Sequence, residues 1–156
     1  GNRLPFRTCA DKETGRVAKD EGWRTSVSEC RVLLVDDEDA YVETLAKRLT
    51  RRGLTVLTAD RGEKALAILA EHPVDVVILD VKMPGMDGIE TLTRIKKDHA
   101  AVEVIMLTGH ANVDAAIRGM ERGAFDYLMK PAEMDDLFYK IQDAQKKRRL
   151  AGHVAD

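Results

Sequence analysis

The amino-acid sequence predicts an α/β protein with a doubly wound, five-stranded parallel sheet. Strand-like apolar runs alternate with helical patterns five times between residues 31 and about 144, which favours parallel strands joined by right-handed crossovers. Several runs are continuous rather than alternating, as in VVIL at 76–79, and this is typical of strands buried on both faces. Such strands need helices on both sides of the sheet, so we expect a three-layer sandwich.

The predicted strands and helices follow one another along the chain. The runs interpreted as strands occupy residues 32–35, 54–59, 76–79, 102–107 and 127–129. Apolar residues at helical spacing form five stripes, namely Val42, Leu45, Ala46 and Leu49; Ala65, Leu66, Ile68 and Leu69; Ile89, Leu92 and Ile95; Val113, Ala116, Ile117 and Met120; and Leu137 and Ile141. Gly53, Pro73 and Gly123 end three of these helices.

Length and charge leave the partner open. The chain has 156 residues and a formal net charge of −2, which fits one domain with a core and points to no particular partner. No apolar run approaches the roughly 18 residues of a membrane span. Cys9 and Cys30 lack metal-ligand spacing. We therefore expect a cytoplasmic protein with reduced thiols.

Composition divides the chain into three parts. Residues 1–29 are polar and lack periodicity, so we interpret them as an N-terminal appendage, linker or cloning remnant. Residues 30–147 form the predicted domain, and residues 148–156 a C-terminal tail. The basic run at 146–149 is expected to close the last helix as a solvated segment that complements the helix dipole.

Polar side chains follow four of the five predicted strands. Asp36 and Asp37 come after the first strand, Asp80 after the third, Thr108 after the fourth and Lys130 after the fifth. The carboxyl ends of parallel strands share one edge of a sheet, so we expect these side chains to meet there. If the strand order is 2-1-3-4-5, the ligand crevice lies between strands 1 and 3 and is lined by the three aspartates.

Three carboxylates in one crevice favour a cation. A pair about 4 Å apart repels by roughly 4 kcal/mol at an effective dielectric near 20. A few carboxylate oxygens with room for water suit Mg²⁺ better than Ca²⁺. Beside Mg²⁺, the Thr108 hydroxyl and the Lys130 ammonium, Asp80 can attack phosphorus and become an aspartyl phosphate. Each residue alone also fits a helix cap or a surface cation, and their convergence favours the functional interpretation.

Four segments carry a family resemblance. LLVDDE, VILDVKMPGMDG, VIMLTGH and GAFDYLMKP occur in this order, and they resemble the receiver domain of bacterial two-component response regulators over roughly residues 31–147. The resemblance implies a flavodoxin-like sheet of order 2-1-3-4-5. It also implies a cis peptide bond between Lys130 and Pro131.

The same resemblance implies a role for each residue at the strand ends. Asp80 is the phosphoacceptor, and Thr108 and Lys130 contact the phosphoryl oxygens. The implied Mg²⁺ ligands are Asp36, Asp37, Asp80 and the main-chain carbonyl of Lys82.

The resemblance further implies a conformational switch. Thr108 moves toward the phosphoryl group and the ring of Tyr127 turns inward, which alters the face made by the fourth helix, fifth strand and fifth helix. A homodimer through this face is one expected consequence. Lys82 and His110 follow Asp80 and Thr108 by two residues, so their side chains are candidates to tune the phosphoryl lifetime, unless they are simply solvated.

The expected function is a phosphorylation-dependent switch that receives its phosphoryl group from a histidine kinase or a phosphotransfer protein. Such a domain catalyses only its own phosphorylation and dephosphorylation, and meets nucleic acid only through an output domain. Two alternatives remain open: an aspartyl-phosphate hydrolase of the dehalogenase type, and a degenerate receiver that acts only as a binding module. A flavodoxin-like cofactor carrier is disfavoured, because Asp36 and Asp37 stand where a phosphate cradle would begin.

Overall fold

One parallel sheet organises the protein. The computed structural model describes residues 30–83 and 85–155, and only the backbone of 151–155. The strands are β1 (Arg31–Val35), β2 (Thr55–Ala59), β3 (Val76–Asp80), β4 (Glu103–Thr108) and β5 (Asp126–Met129). They pair in parallel in the order β2-β1-β3-β4-β5. The predicted five-stranded sheet and its order are confirmed, whereas the predicted appendage at 1–29, including Cys9, lies outside the described residues.

In the part of the chain that the structure describes, five helices connect and follow the strands. They are α1 (Asp39–Arg51), α2 (Gly62–Glu71), α3 (Gly88–Asp98), α4 (Val113–Glu121) and α5 (Met134–Ala155), with a short 3-10 turn at His110–Asn112 before α4. Within the described part of the chain, none of these helices combines the length and apolar character needed to cross a bilayer.

Successive strand residues enter two separate cores, one on each face of the sheet. In β1, Leu33 and Val35 belong to the core under α2, α3 and α4, while Val32 and Leu34 belong to the core under α1 and α5. All five residues of β3 are buried. The continuous apolar runs of the sequence therefore reflect burial on both faces, and the three-layer sandwich is confirmed.

Helix α5 is longer than the sequence pattern suggested. It continues to Ala155, so the basic run at 146–149 lies inside the helix, and the prediction that this run closes it is wrong. Two of its side chains reach acids at the amino-terminal end of the sheet: Lys147 Nζ lies 3.7 Å from Glu103 Oε2 and Arg148 Nε lies 3.3 Å from Asp75 Oδ1. These ion pairs hold the run against the sheet, which contradicts a purely solvated segment.

A close backbone approach fixes the loop that follows β3. Gly88 N donates to the carbonyl oxygen of Val81 at 2.9 Å, and a Cβ at Gly88 would lie 2.4 Å from the carbonyl oxygen of Asp80. The Asp87 side chain then caps α3 by accepting from the backbone N–H of Glu90 at 2.9 Å. The first turn of α3 is thereby packed directly against the carboxyl end of β3.

Candidate functional site

Three aspartates converge at the carboxyl edge of the sheet, beside the switch point between β1 and β3. Asp36 follows β1 and Asp80 is the last residue of β3. One carboxylate oxygen from each of Asp36, Asp37 and Asp80 lies within 4.8 Å of the other two. Asp36 and Asp80 are 1% and 6% exposed, while Asp37 is exposed. The three aspartates that the sequence predicted to meet at this edge therefore do lie close together.

Backbone amides orient the two buried carboxylates. Asp36 Oδ1 accepts from the N–H of Glu38 at 2.9 Å, and Asp80 Oδ1 accepts from the N–H of Lys82 at 3.4 Å. Asp36 Oδ2 is buried, faces Lys130 Nζ at 2.7 Å and accepts no hydrogen bond of good geometry from the described residues. A buried carboxylate oxygen in this condition is well suited to a cation.

The Lys130 ammonium sits among the acids. Its Nζ lies 2.7 Å from Asp36 Oδ2, 2.6 Å from Glu38 Oε1 and 3.6 Å from Asp80 Oδ1. Burial alone lowers the pKa of this ammonium, but its close contacts with the carboxylates of Asp36 and Glu38 outweigh burial and raise the pKa above its usual value. Lys130 is therefore a fixed positive charge at the site. The Lys130–Pro131 peptide bond is cis, as predicted.

Asp80 has a perturbed carboxyl group. Burial, followed by the neighbouring charge of Asp36, raises the pKa of Asp80 to about 6, and the nearby Lys130 offsets part of this rise. Burial and the neighbouring acids, Asp37 included, all oppose a negative charge on Asp80 when no cation is bound. A divalent ion between the aspartates would reverse this balance.

Thr108 and Tyr127 occupy the two strands beyond β3. Thr108 is fully buried, and its Oγ1 donates to the carbonyl oxygen of Gly109 at 3.1 Å. Its register partner on β5 is Met129, and Lys130 N donates to the Thr108 carbonyl oxygen at 2.8 Å. Tyr127 is partly buried against the core under α2, α3 and α4. Thr108 and Lys130 therefore stand at adjacent strand ends.

An open cleft of about 550 Å³ covers the site, and eight residues line it: Asp37, Glu38, Asp80, Lys82, Met83, Gly109, Asn112 and Lys130. Lys82 lines the cleft as the sequence suggested. His110 is exposed and does not belong to this lining, whereas Asn112 from the same 3-10 turn does. Sequence reasoning missed Glu38 and Asn112. Glu38 directly follows the two aspartates in the sequence, and this position next to them could have identified it as a site residue.

The donor atoms fit a hard divalent cation. Three carboxylates offer oxygens within 4.8 Å of one another, Asp36 Oδ2 lacks a well-formed hydrogen bond, and the cleft leaves room for water. Mg²⁺ prefers this combination of a few carboxylate oxygens and several waters. The acidic group is thus a candidate Mg²⁺ site, and a contribution from the Lys82 carbonyl stays a prediction.

Comparison with known proteins gives the family to which this fold and acidic site belong. The family model for the response regulator receiver domain matches residues 32–142. The chain therefore belongs to the response regulator receiver family, a class of bacterial signalling domains.

The relatives that the chain resembles include transcriptional regulators. The chain is 40% identical over 113 residues to the DNA-binding transcriptional regulator NtrC of Salmonella typhimurium, covering 72% of this chain and 24% of NtrC. It is 37% identical over 139 residues to the transcriptional regulatory protein TcrA of Mycobacterium tuberculosis, covering 88% of this chain and 55% of TcrA. The chain thus spans about a quarter of NtrC and about half of TcrA.

Solved structures agree on the fold. A response regulator receiver domain protein from Clostridium thermocellum superposes with a TM-score of 0.75 at 39% identity, covering 78% of this chain and 98% of that one. NtrX from Brucella abortus superposes with a TM-score of 0.77 at 32% identity, covering 81% of this chain and 29% of that one.

Proposed function

We propose that this receiver domain accepts a phosphoryl group on Asp80 from a histidine kinase or a phosphotransfer protein. The observation that carries the proposal is the convergence of Asp80 with two further aspartates and the Lys130 ammonium in one open cleft. A buried carboxylate beside a cation site and a fixed ammonium is equipped for attack on phosphorus. The assigned family supports the same chemistry.

Each residue of the site has a separate proposed role in phosphoryl transfer. Asp80 supplies the nucleophilic oxygen, which forms the new bond to phosphorus as the donor's leaving group departs. Lys130 and the Thr108 hydroxyl contact the phosphoryl oxygens, and Asp36, Asp37 and Asp80 hold Mg²⁺ together with the Lys82 carbonyl. Bound Mg²⁺ supplies charge neutralisation for the transferring oxygens. Water later attacks the phosphorus, releases inorganic phosphate and returns Asp80 to a carboxylate. Lys82, which lines the cleft, is proposed to tune this rate, and a contribution from His110 stays a prediction.

The output is a change of the face formed by α4, β5 and α5. Thr108 moves toward the phosphoryl group, and Tyr127 turns into the vacated space. Ile117 and Met120 on α4 and Tyr139 on α5 are 46%, 36% and 62% exposed, which supports a role for this face in homodimerisation or partner binding. Residues 30–147 are proposed as the receiver domain in the cytoplasm, although α5 itself continues to Ala155.

The two alternatives from the sequence receive less support. A dehalogenase-type hydrolase would carry its nucleophile after the first strand, whereas the candidate here ends β3. A degenerate receiver would lack part of the charged constellation. Here the three acids and the lysine are all present and adjacent.

Intact-mass measurement after incubation with acetyl phosphate and Mg²⁺ tests the proposal. We expect the wild-type chain to gain one phosphoryl group and Asp80→Asn to gain none. Asp87→Asn is a matched control on the same loop, and it should be phosphorylated like wild type. Equal phosphorylation of Asp80→Asn and wild type would reject Asp80 as the acceptor.

A further inference from the structure

The shortest ion pair of Lys130 involves a residue outside the expected site. Lys130 Nζ lies 2.6 Å from Glu38 Oε1, closer than either aspartate that it contacts. Glu38 is the residue just before α1, and its side chain is 63% exposed at the mouth of the cleft. The contact therefore joins the carboxyl edge of β1 to the end of β5 across 92 residues of sequence.

The surroundings of Lys130 also place its ammonium on the α1 side of the cleft. The ring of Tyr41, in the first turn of α1, has its centroid 5.0 Å from Lys130 Nζ. The hydroxyl oxygen of Tyr41 accepts from the backbone N–H of Ala132 at 3.5 Å. The Glu38 carboxylate and the face of the Tyr41 ring, both at the amino-terminal end of α1, thus contact the Lys130 ammonium, while Asp80 Oδ1 is 3.6 Å away.

An ammonium group has three protons to donate. Three carboxylates surround Lys130 Nζ, those of Asp36, Glu38 and Asp80, and of these contacts only the one with Glu38 is a hydrogen bond of good geometry. A phosphoryl oxygen on Asp80 adds a further anionic group beside this ammonium and competes with these carboxylates for it. Glu38 is the exposed one, and its carboxylate carries the same sign of charge as the incoming group.

We propose that Glu38 is a positioning residue that holds Lys130 in the unphosphorylated state and competes with the phosphoryl group for its ammonium. This inference rests on the proposed function of Asp80. Loss of the Glu38 contact makes Lys130 available to the phosphoryl oxygens, so Glu38 limits how readily the domain takes up the phosphorylated conformation. Exposed ion pairs are weak, and the effect expected from this one is about two- to fivefold in affinity.

Beryllium fluoride, a tetrahedral mimic of the phosphoryl group, is the probe for this competition. Its affinity is measured by titration calorimetry at saturating Mg²⁺ for wild type, Glu38→Gln, Glu38→Asp and Glu43→Gln. Glu43 is an exposed acid on α1 that pairs with Lys47 at 3.8 Å, so its variant removes the same charge without touching Lys130. We expect Glu38→Gln to bind the mimic about two- to fivefold more tightly than wild type, and Glu43→Gln to bind like wild type.

Glu38→Asp separates the contact from the charge. The shorter side chain keeps the negative charge and withdraws the carboxylate from Lys130, so positioning predicts tighter binding in this variant as well. Nuclear magnetic resonance of the Lys130 ε-methylene in the free protein gives a second readout. Its signal should shift in both Glu38 variants and stay unchanged in Glu43→Gln.

The outcomes separate this inference from the function on which it rests. Wild-type affinity in both Glu38 variants, with an unchanged Lys130 signal, would overturn the positioning role and leave Asp80 phosphorylation intact. If Glu38→Gln binds the mimic more tightly and Glu38→Asp does not, the loss of negative charge alone explains the change in affinity. That result would also overturn the positioning role. A wild-type protein that binds no beryllium fluoride would overturn both proposals.

Discussion

Asp80 is held in surroundings that disfavour its own charge. Its pKa rises from 3.8 to about 6, chiefly through burial and then through Asp36. The folded chain therefore binds a proton between about pH 4 and pH 6 that the unfolded chain releases. The free energy of unfolding falls as pH rises through this window, and the full penalty remains above it.

This penalty predicts the effect of neutralising Asp80. Without divalent cations, Asp80→Asn should be more stable than wild type by about 1–2 kcal/mol at pH 7.5, and the difference should vanish near pH 4. Urea unfolding at the two pH values measures it. Asp60→Asn, on an exposed acid beside Arg61, should change stability by less than about 0.5 kcal/mol. If Asp80→Asn is less stable than wild type at pH 7.5, the claim that the charged Asp80 carboxylate destabilises the folded protein is contradicted.

At the residue scale, the sequence predicted the strand-end groups and missed their neighbours. Asp36, Asp80 and Lys130 were predictable because each directly follows an apolar run, and strand ends share one edge of the sheet. The role of Glu38 was not predictable, because its side chain is exposed and its contact partner, Lys130, lies 92 residues away in the sequence. Asn112 was missed because a 3-10 turn, which the apolar pattern does not encode, directs that segment toward the cleft.

At the scale of elements, the contact between β3 and α3 sets the loop beside the site. Gly88→Ala would put a methyl group 2.4 Å from the Asp80 carbonyl oxygen and 2.7 Å from that of Val81. Backbone atoms cannot turn aside as a flexible side chain does, so we expect a loss of about 2 kcal/mol or more. Chemical denaturation measures the loss.

Gly109→Ala is the matched control for this contact. Gly109 follows β4 at the same edge, and a Cβ there meets nothing within 4 Å among the described residues. Its backbone is also extended, with φ −81° and ψ 170°. This variant should stay within about 0.5 kcal/mol of wild type. Equal stability of the two alanine variants would contradict the close approach at Gly88.

The length of helix α5 could not be predicted from the spacing of its apolar residues. The apolar stripe through Leu137 and Ile141 predicted the helix but gave no end point. The described side chains at 146–149 include two that form ion pairs with acids near the sheet, such as Lys147 with the buried Glu103. Those pairs join sequence-distant elements, and hydrophobic spacing carries no information about them.

At the scale of the whole molecule, β4 and β5 join the candidate site to the proposed output face formed by α4, β5 and α5. Thr108 lies beside Met129 in the sheet, and α4 follows Thr108 after one 3-10 turn. A ligand moves such a system only by binding its two conformations unequally. We propose that the Thr108 hydroxyl makes the phosphoryl group bind one of the two conformations more strongly, because it contacts the phosphoryl oxygens in that conformation.

Removal of this hydroxyl should separate phosphorylation from output. Thr108→Ala should still gain a phosphoryl group, but the change in amide hydrogen exchange across α4 and β5 should fall to a small fraction of the wild-type change. Thr58→Ala, on an exposed threonine of β2, is the matched control and should respond like wild type. An undiminished response in phosphorylated Thr108→Ala would contradict the coupling.

The most direct test of the account is to locate the acyl phosphate. Borohydride reduction of the protein phosphorylated by acetyl phosphate and Mg²⁺, followed by peptide mass spectrometry, converts the acceptor aspartate to homoserine. We predict homoserine at position 80, and none when Mg²⁺ is removed by a chelator. Homoserine at another aspartate, with residue 80 unchanged, would contradict the account.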